Sequence, residues 1–474
     1  MSENRTMPDF DYDLAVVGSG PAGHHASIQG AKLRKRVIMI ERKPIVGGVC
    51  VNIGTIPSKT MREAILYLSG YREHAVYGDS YQVKEKITFQ DLLVRVDPVV
   101  RHEIDVLRHQ LLRNGVELAT ASARFIEPHV LQLDDKLSGL QRRITASTII
   151  LAVGTEAASD AQTPLDGQCV FSSDDMMALD ELPRTLAVIG AGVIGCEYAS
   201  MFAALGVRVT LIDMRPRLLD FVDAEIVESL TYHLRERRVT IRLGEEVSSI
   251  EVFQENGLKR VRTSLASGKQ IVTDKALSSK GRNGATGDLN LAAVGLTTDA
   301  RGRLKTNDSY QTKVKHIYAV GDIIGFPSLA STSKEQGRIA VCRAFNVPAL
   351  HSPELFPYGI YTIPEISFVG STEESLTNKG VPYEVGKASY REVARGHILG
   401  DSSGVLKLLF HRETRELLGV HIIGDGAVEL VHIGQAVMSL KGTIDYFVNT
   451  VFNYPTLAEC YKNAALDGIN RLSA

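Results

Sequence analysis

Cysteine is scarce in this chain, and what there is cannot pair off. Its 474 residues include five cysteines, Cys50, Cys169, Cys196, Cys342 and Cys460, scattered and odd in number. That excludes a disulfide framework and points to a reducing compartment. No apolar run approaches the roughly 20 residues that a membrane-spanning helix needs. The N-terminus, MSENRTMPDFDYD, lacks the basic-then-apolar layout of a secretion signal. A cytoplasmic protein without a membrane partner is expected. The net charge is only −2, which makes no electrostatic case for nucleic acid or an anionic lipid surface. Neither His-Glu-x-x-His nor a paired-cysteine spacing occurs, so no metal site is expected. Tryptophan is absent, yet 44% apolar and 23% charged residues make an ordinary globular composition. The length excludes a single core and suggests about three domains.

Glycine is present where it carries information. An apolar strand, Asp13–Val17, runs into Gly18-Ser19-Gly20-Pro21-Ala22-Gly23 and a helical stretch to about Leu33. A second strand, Val37–Ile40, ends at Glu41. Glycines there allow a tight turn and close backbone approach to a pyrophosphate at the positive end of the helix, and the acid accepts from a ribose. The pattern recurs at Leu186–Ile189, with Gly190, Gly192 and Gly195, a helix through Met201 to Leu205, and a strand from Val207 to Ile212 ending at Asp213. Glycine spacing alone is weak; strand before, helix after and acid at the right distance make two dinucleotide-binding units.

The segment Gly47-Gly48-Val49-Cys50-Val51-Asn52-Ile53-Gly54-Thr55-Ile56-Pro57-Ser58-Lys59 resembles the redox-active helix of the flavoprotein disulfide reductases, whose two cysteines have four residues between them. Here Thr55 stands at the second position, and a hydroxyl cannot replace a thiolate in thiol exchange. Near the C-terminus, Tyr454-Pro455-Thr456-Leu457-Ala458-Glu459 resembles the same family's His-Pro-Thr-x-x-Glu frame, with tyrosine in place of the histidine. Histidine is poised to move protons at neutral pH; a phenol with its usual pKa near 10 is not. The joint change at Thr55 and Tyr454 resembles the soluble pyridine nucleotide transhydrogenases. Cys50 is then expected to be an inherited buried thiol.

That resemblance implies the remaining expectations. Thr148–Thr155, with Gly154, and Ile317–Asp322, with Gly321 and Asp322, resemble the segments that complete the FAD site, so the first copy would hold FAD and the second NAD or NADP. Gly48 belongs to the same FAD site. Gly281 lies in the Gly-rich return crossing, preceded by Lys280 where relatives carry a small residue. Lys59 and Glu197 are implied to pair beside the flavin. The expected architecture is α/β: residues 1–155 and 285–355 form an FAD domain, an NAD(P) domain at 156–284 is inserted in it, and 356–474 form an α+β dimerisation domain. The implied activity is Si-specific NAD(P)+ transhydrogenation: NADPH and NAD+ use one nucleotide site in turn, in a homodimer or higher homo-oligomer. Competing readings are an NAD(P)H oxidase or diaphorase and a lipoamide-dehydrogenase-like complex component. After the second strand, Asp213-Met214-Arg215-Pro216-Arg217 combines an acid suited to the NAD ribose with arginines suited to a 2′-phosphate.

Overall fold

The structure, a computed structural model, describes residues 10–78, 80–81, 83–159, 163–349 and 355–472. It divides into two compact units. One gathers Met1–Thr60, Val94–Ala158 and Gly281–Ser352; the other gathers Met61–Leu93, Ser159–Lys280 and Pro353–Ala474.

The first unit is built on a sheet whose parallel part runs Glu117–Thr120, Val37–Glu41, Tyr12–Val17, Gln141–Leu151, Ile317–Ala319. Its central strands are near-continuous apolar runs because helices and loops cover both faces; Leu14, Ala15 and Val16 are fully buried. Val17 pairs with Ile40 on one side and Leu151 on the other, so the strands end together and set Gly18, Glu41 and Ala152 along one edge. The first half of Gln141–Leu151 pairs antiparallel with Val130–Asp134, extending the sheet. Helix Pro21–Lys32 lies against helix Ala330–Ala344 so closely that a β-carbon on Gly337 would collide with the carbonyl oxygen of Ala22.

The second unit repeats the parallel sheet as Thr240–Leu243, Arg208–Asp213, Thr185–Ile189, Lys275–Ser278, Val170–Ser172. Beside it stand three antiparallel strands, Val247–Glu255, Leu258–Leu265 and Gln270–Thr273. Its C-terminal part is a five-stranded antiparallel sheet containing Val405–His411 and Leu417–Ile423, backed by helices Ala427–Ser439 and Glu459–Leu472. Residues 61–93 join this unit through buried Arg62, which donates to the carbonyl of Thr362 at 3.1 Å and pairs with Glu365 at 3.3 Å.

One feature of that sheet runs against its sequence pattern. Lys407 lies mid-strand between Leu406 and Leu408 and is completely buried. Its ammonium contacts Asp223 at 2.8 Å, Glu225 at 3.1 Å and Glu373. Burial would lower the lysine pKa, but bonds to Asp223 and Glu373 push it up. Burial likewise opposes the charge on Asp223, yet His421 and Lys407 hold its carboxyl below the usual range. The cluster therefore joins helix Ala224–Glu236 to the C-terminal sheet by charge. Removing one partner strands a buried charge, so Lys407→Ala should cost about 3–5 kcal/mol. Asp223 contributes fully above the ordinary aspartate pKa and loses its contribution as pH falls through its lowered folded value. The deficit of the variant should therefore be large at neutral pH and narrow in acid, below about pH 4. Thermal unfolding at both pH values checks this; equal melting of the two proteins at pH 7 would refute it.

Candidate nucleotide-binding and redox site

The first glycine turn is shaped by contacts that only hydrogen permits. Gly18 has φ +107°, donates its N–H to Ile40 at 2.8 Å, and leaves no room for a β-carbon beside the carbonyl of Ala152. A β-carbon on Gly23 would strike the carbonyl oxygen of Gly18. Gly20 differs: a β-carbon there would meet nothing within 4 Å. Gly20 caps helix Pro21–Lys32, whose first turn has no acid and, among the described residues, no side-chain cap. The helix dipole and its unbonded N–H groups there suit a phosphate. Gly48, at φ +58°, closes over the turn, since its β-carbon would stand 2.8 Å from the α-carbon of Gly20.

Glu41 is tied to this turn. Its Oε2 accepts from the N–H and the hydroxyl of Ser19 at 3.0 and 2.6 Å, and its Oε1 accepts from the N–H of Lys43 at 3.0 Å. Ser19 Oγ in turn accepts from the N–H of Gly47 at 3.0 Å. Ser19 thus links the glycine turn, the acid and the Gly47–Gly48 turn. Reading the glycines alone missed it, although it sits among them.

Gly154 at φ +67° and Gly281 at φ +125° are both in backbone regions that favour glycine. Arg282 joins them, donating from Nε to Thr155 Oγ1 and from Nη2 to the Thr155 carbonyl, both at 2.9 Å. The N–H of Gly321 donates to Gln336 at 2.8 Å, and a β-carbon on Gly321 would stand 3.1 Å from that of Ala22, beside the first turn. Burial raises the carboxyl pKa of Asp322, opposed by Arg282 and a hydrogen bond with Ser333. These residues fit FAD: an uncapped helix end at Gly20 that suits a phosphate, and the carboxylates of Glu41 and Asp322, which suit hydroxyl groups. Arg282 and Gln336, absent from the expected set, brace the wall that carries Asp322.

Cys50 lies in the short helix Gly48–Asn52, and Thr55 opens the next, Thr55–Ser69. Asn52 braces the first by donating to the carbonyls of Val46 and Gly48 at 3.0 and 2.9 Å. Burial raises the Cys50 thiol pKa above its usual value, and Thr55 only partly offsets that. Cys50 is a free thiol, as are the other four cysteines. Lys59 follows Thr55 at the i+4 position, on the same helical face.

The second turn follows the same construction. Gly190 has φ +105°, with space for a β-carbon blocked by the Ser279 carbonyl oxygen at 2.6 Å, and Gly195 abuts the Gly190 carbonyl. Gly192 caps helix Val193–Ala204, again without an acid in the first turn. Asp213 accepts from the N–H of Ala191 at 2.5 Å and that of Arg215 at 2.8 Å. The Arg215 guanidinium forks onto the same carboxylate, from Nε at 3.0 Å and Nη2 at 2.8 Å. Burial opposes charge on Asp213, but these donors hold its pKa below the usual value. Glu197 is buried and accepts from the N–H of Tyr361 at 2.8 Å. Lys280, unusual at its position, donates to the hydroxyl of Thr163 at 2.7 Å.

Lys59 belongs to the first unit and Glu197 to the second. Tyr454 and Glu459 are also in the second unit; Tyr454 is exposed, and Glu459 opens helix Glu459–Leu472 with Oε2 buried and without a hydrogen bond among the described residues.

The pyridine nucleotide-disulphide oxidoreductase family matches residues 12–337, and its dimerisation domain matches residues 356–465. A soluble pyridine nucleotide transhydrogenase of Mycobacterium bovis (strain BCG / Pasteur 1173P2) is 52% identical over 464 residues, covering 98% of each chain. One from Colwellia psychrerythraea is 45% identical over 98% of this chain and 99% of its own. Among solved structures, the HOCl-induced flavoprotein disulfide reductase RclA from Escherichia coli superposes with a TM-score of 0.86 at 25% identity, over 96% of this chain and 99% of its own. The chain belongs to the pyridine nucleotide-disulphide oxidoreductases and, within them, to the soluble pyridine nucleotide transhydrogenase family.

The glycine geometry separates folding from cofactor binding. Gly20 has φ −63° and ψ −179°, ordinary for alanine, so Gly20→Ala should fold as the wild type does. Its methyl group would occupy the pyrophosphate cradle, weakening FAD by about 10- to 150-fold if one charge-assisted hydrogen bond is lost. Circular dichroism and the flavin content of the purified variant test this; stoichiometric retention of FAD would refute the cradle assignment.

Proposed function

We propose that this protein transfers hydride from NADPH to NAD+ through bound FAD, in the cytoplasm, as a homodimer. The observation that carries the reading is Thr55 itself, which opens helix Thr55–Ser69 just after the Cys50 helix, at the place of the second cysteine of the disulfide reductases. A hydroxyl occupies the neighbourhood in which a second sulfur would complete a disulfide, while both nucleotide cradles keep their glycines, uncapped helix ends and acids. Bound FAD supplies a two-electron acceptor that passes the hydride on, so NADPH and NAD+ become NADP+ and NADH without a thiol. The protein contributes binding, orientation and electrostatics.

In this reading the turn at Gly18, Gly20 and Gly23, with Glu41, Gly48, Gly154, Gly281, Gly321 and Asp322, holds FAD. The turn at Gly190, Gly192 and Gly195, with Asp213 and Arg215, takes either nucleotide, and donor and acceptor use it in turn. Lys59 supplies positive charge on the flavin side, and Glu197 orients groups on the nicotinamide side. Cys50, with its raised pKa, stays a bystander thiol. Tyr454 and Glu459 serve at the subunit boundary; the exposure of Leu440, Val451 and Tyr454 in the C-terminal segment supports burial against a second copy.

The purified yellow protein should reduce thio-NAD with NADPH anaerobically, consume little oxygen in air, and leave lipoamide and glutathione disulfide unreduced. Disulfide turnover comparable to transhydrogenation would sink the reading. Cofactor choice provides a second check. A charge-assisted hydrogen bond to the 2′-phosphate is worth about 1.5–3 kcal/mol, so Arg215→Ala should weaken NADPH by about 10- to 150-fold and NADH only a few-fold. Separate anaerobic half-reactions measure each nucleotide, and equal losses for both would remove Arg215 from the phosphate site.

A further inference from the structure

The second nucleotide cradle carries one carboxylate more than ribose recognition requires. Arg215 lies against the glycine turn, where a β-carbon on Gly192 would stand 3.9 Å from its Nη2. Its Nε and Nη2 fork onto Asp213, and its Nη1 donates to Asp220 at 3.1 Å. One cation therefore serves two carboxylates. They are not equivalent. The Asp213 side chain is 5% exposed and is bound as well by the N–H groups of Ala191 and Arg215, so it is fixed. The Asp220 side chain is 53% exposed, and among the described residues its carboxylate bonds only to Arg215.

The neighbouring arginine keeps Asp220 where it is. Arg217 donates from Nη2 to the Asp220 carbonyl at 2.8 Å and to the Val222 carbonyl at 3.4 Å, and its Nη1 pairs with Glu374 at 3.0 Å. Arg217 is thus committed to the loop and to Glu374, leaving Arg215 as the cation best placed at the turn.

We infer that Asp220 is a specificity-determining positioning residue that competes with the 2′-phosphate of NADP(H) for Arg215 and so biases the shared site toward NAD(H). The inference rests on the reading above, in which Arg215 receives that phosphate. NAD(H) has a hydroxyl in its place, which Asp213 can accept and which asks nothing of Asp220. NADP(H) must draw Nη1 away from Asp220 and bring its own negative charge beside that carboxylate. One site that releases NADP+ and then admits NAD+ benefits from the weaker hold on the first.

The test uses the FAD-loaded protein and the oxidised nucleotides, so that no turnover occurs, with Kd measured by calorimetry for NADP+ and NAD+. Coupling between half-exposed charges amounts to about two- to fivefold in an equilibrium. Asp220→Asn should tighten NADP+ by about that factor and leave NAD+ unchanged, and in an Arg215→Ala background the gain for NADP+ should be smaller. Three results overturn the inference while leaving the phosphate assignment standing: no gain for NADP+ although Arg215→Ala weakens it, equal tightening of both nucleotides, or the same gain without Arg215. If Arg215→Ala leaves NADP+ binding untouched, the phosphate assignment itself falls, and the inference with it.

Discussion

Where strand Tyr12–Val17 passes into helix Pro21–Lys32, the carbonyl of Gly18 fills the space that a side chain at residue 23 would need. The same backbone contact recurs between Gly190 and Gly195. Both cradles depend on it. It brings the helix N-terminus up to the end of the strand, so the helix dipole and its unbonded N–H groups face the same edge as the neighbouring acid. Parallel pairing of Val17 with Ile40, and of Ile212 with Ile189, then puts Glu41 and Asp213 within hydrogen-bonding reach of Ser19 and Ala191. One steric constraint thus sets the helix end and the acid side by side at both turns.

From that shared frame the two cradles diverge through single side chains. In the first, the residue two past the acid is Lys43, which binds Glu41 through its backbone N–H. In the second it is Arg215, which binds Asp213 through both backbone and guanidinium. A forked arginine is planar and always charged, so it is suited to exchange a carboxylate for a phosphate. In the proposed function that difference is what lets the second cradle tell apart two nucleotides that differ at one ribose position.

The redox segment changes chemistry without changing its scaffold. Gly48, Cys50 and Asn52 keep their helix, and Thr55 opens the next one. A hydroxyl at residue 55 cannot exchange electrons with sulfur as a second thiol would. In the proposed function Tyr454 belongs to the same change, since a site without a dithiol has no need of a histidine to move its protons.

The sequence alone determined whatever depends on neighbours along the chain. Both glycine turns and their acids were legible, because turn geometry, helix starts and strand ends follow from residues a few positions apart. The tertiary structure alone decided what depends on distant segments meeting. Lys407 reads as the outward residue of an alternating strand, yet it is buried because Asp223, 184 positions away, meets it. Arg62 reads as a helix-surface cation, yet it is buried against Thr362 and Glu365. Ser19 reads as a spacer between glycines until Glu41 and Gly47 converge on it. Local preference sets backbone conformation residue by residue, whereas the partner of a charge is set by the path of the whole chain, and no short window of sequence contains that path.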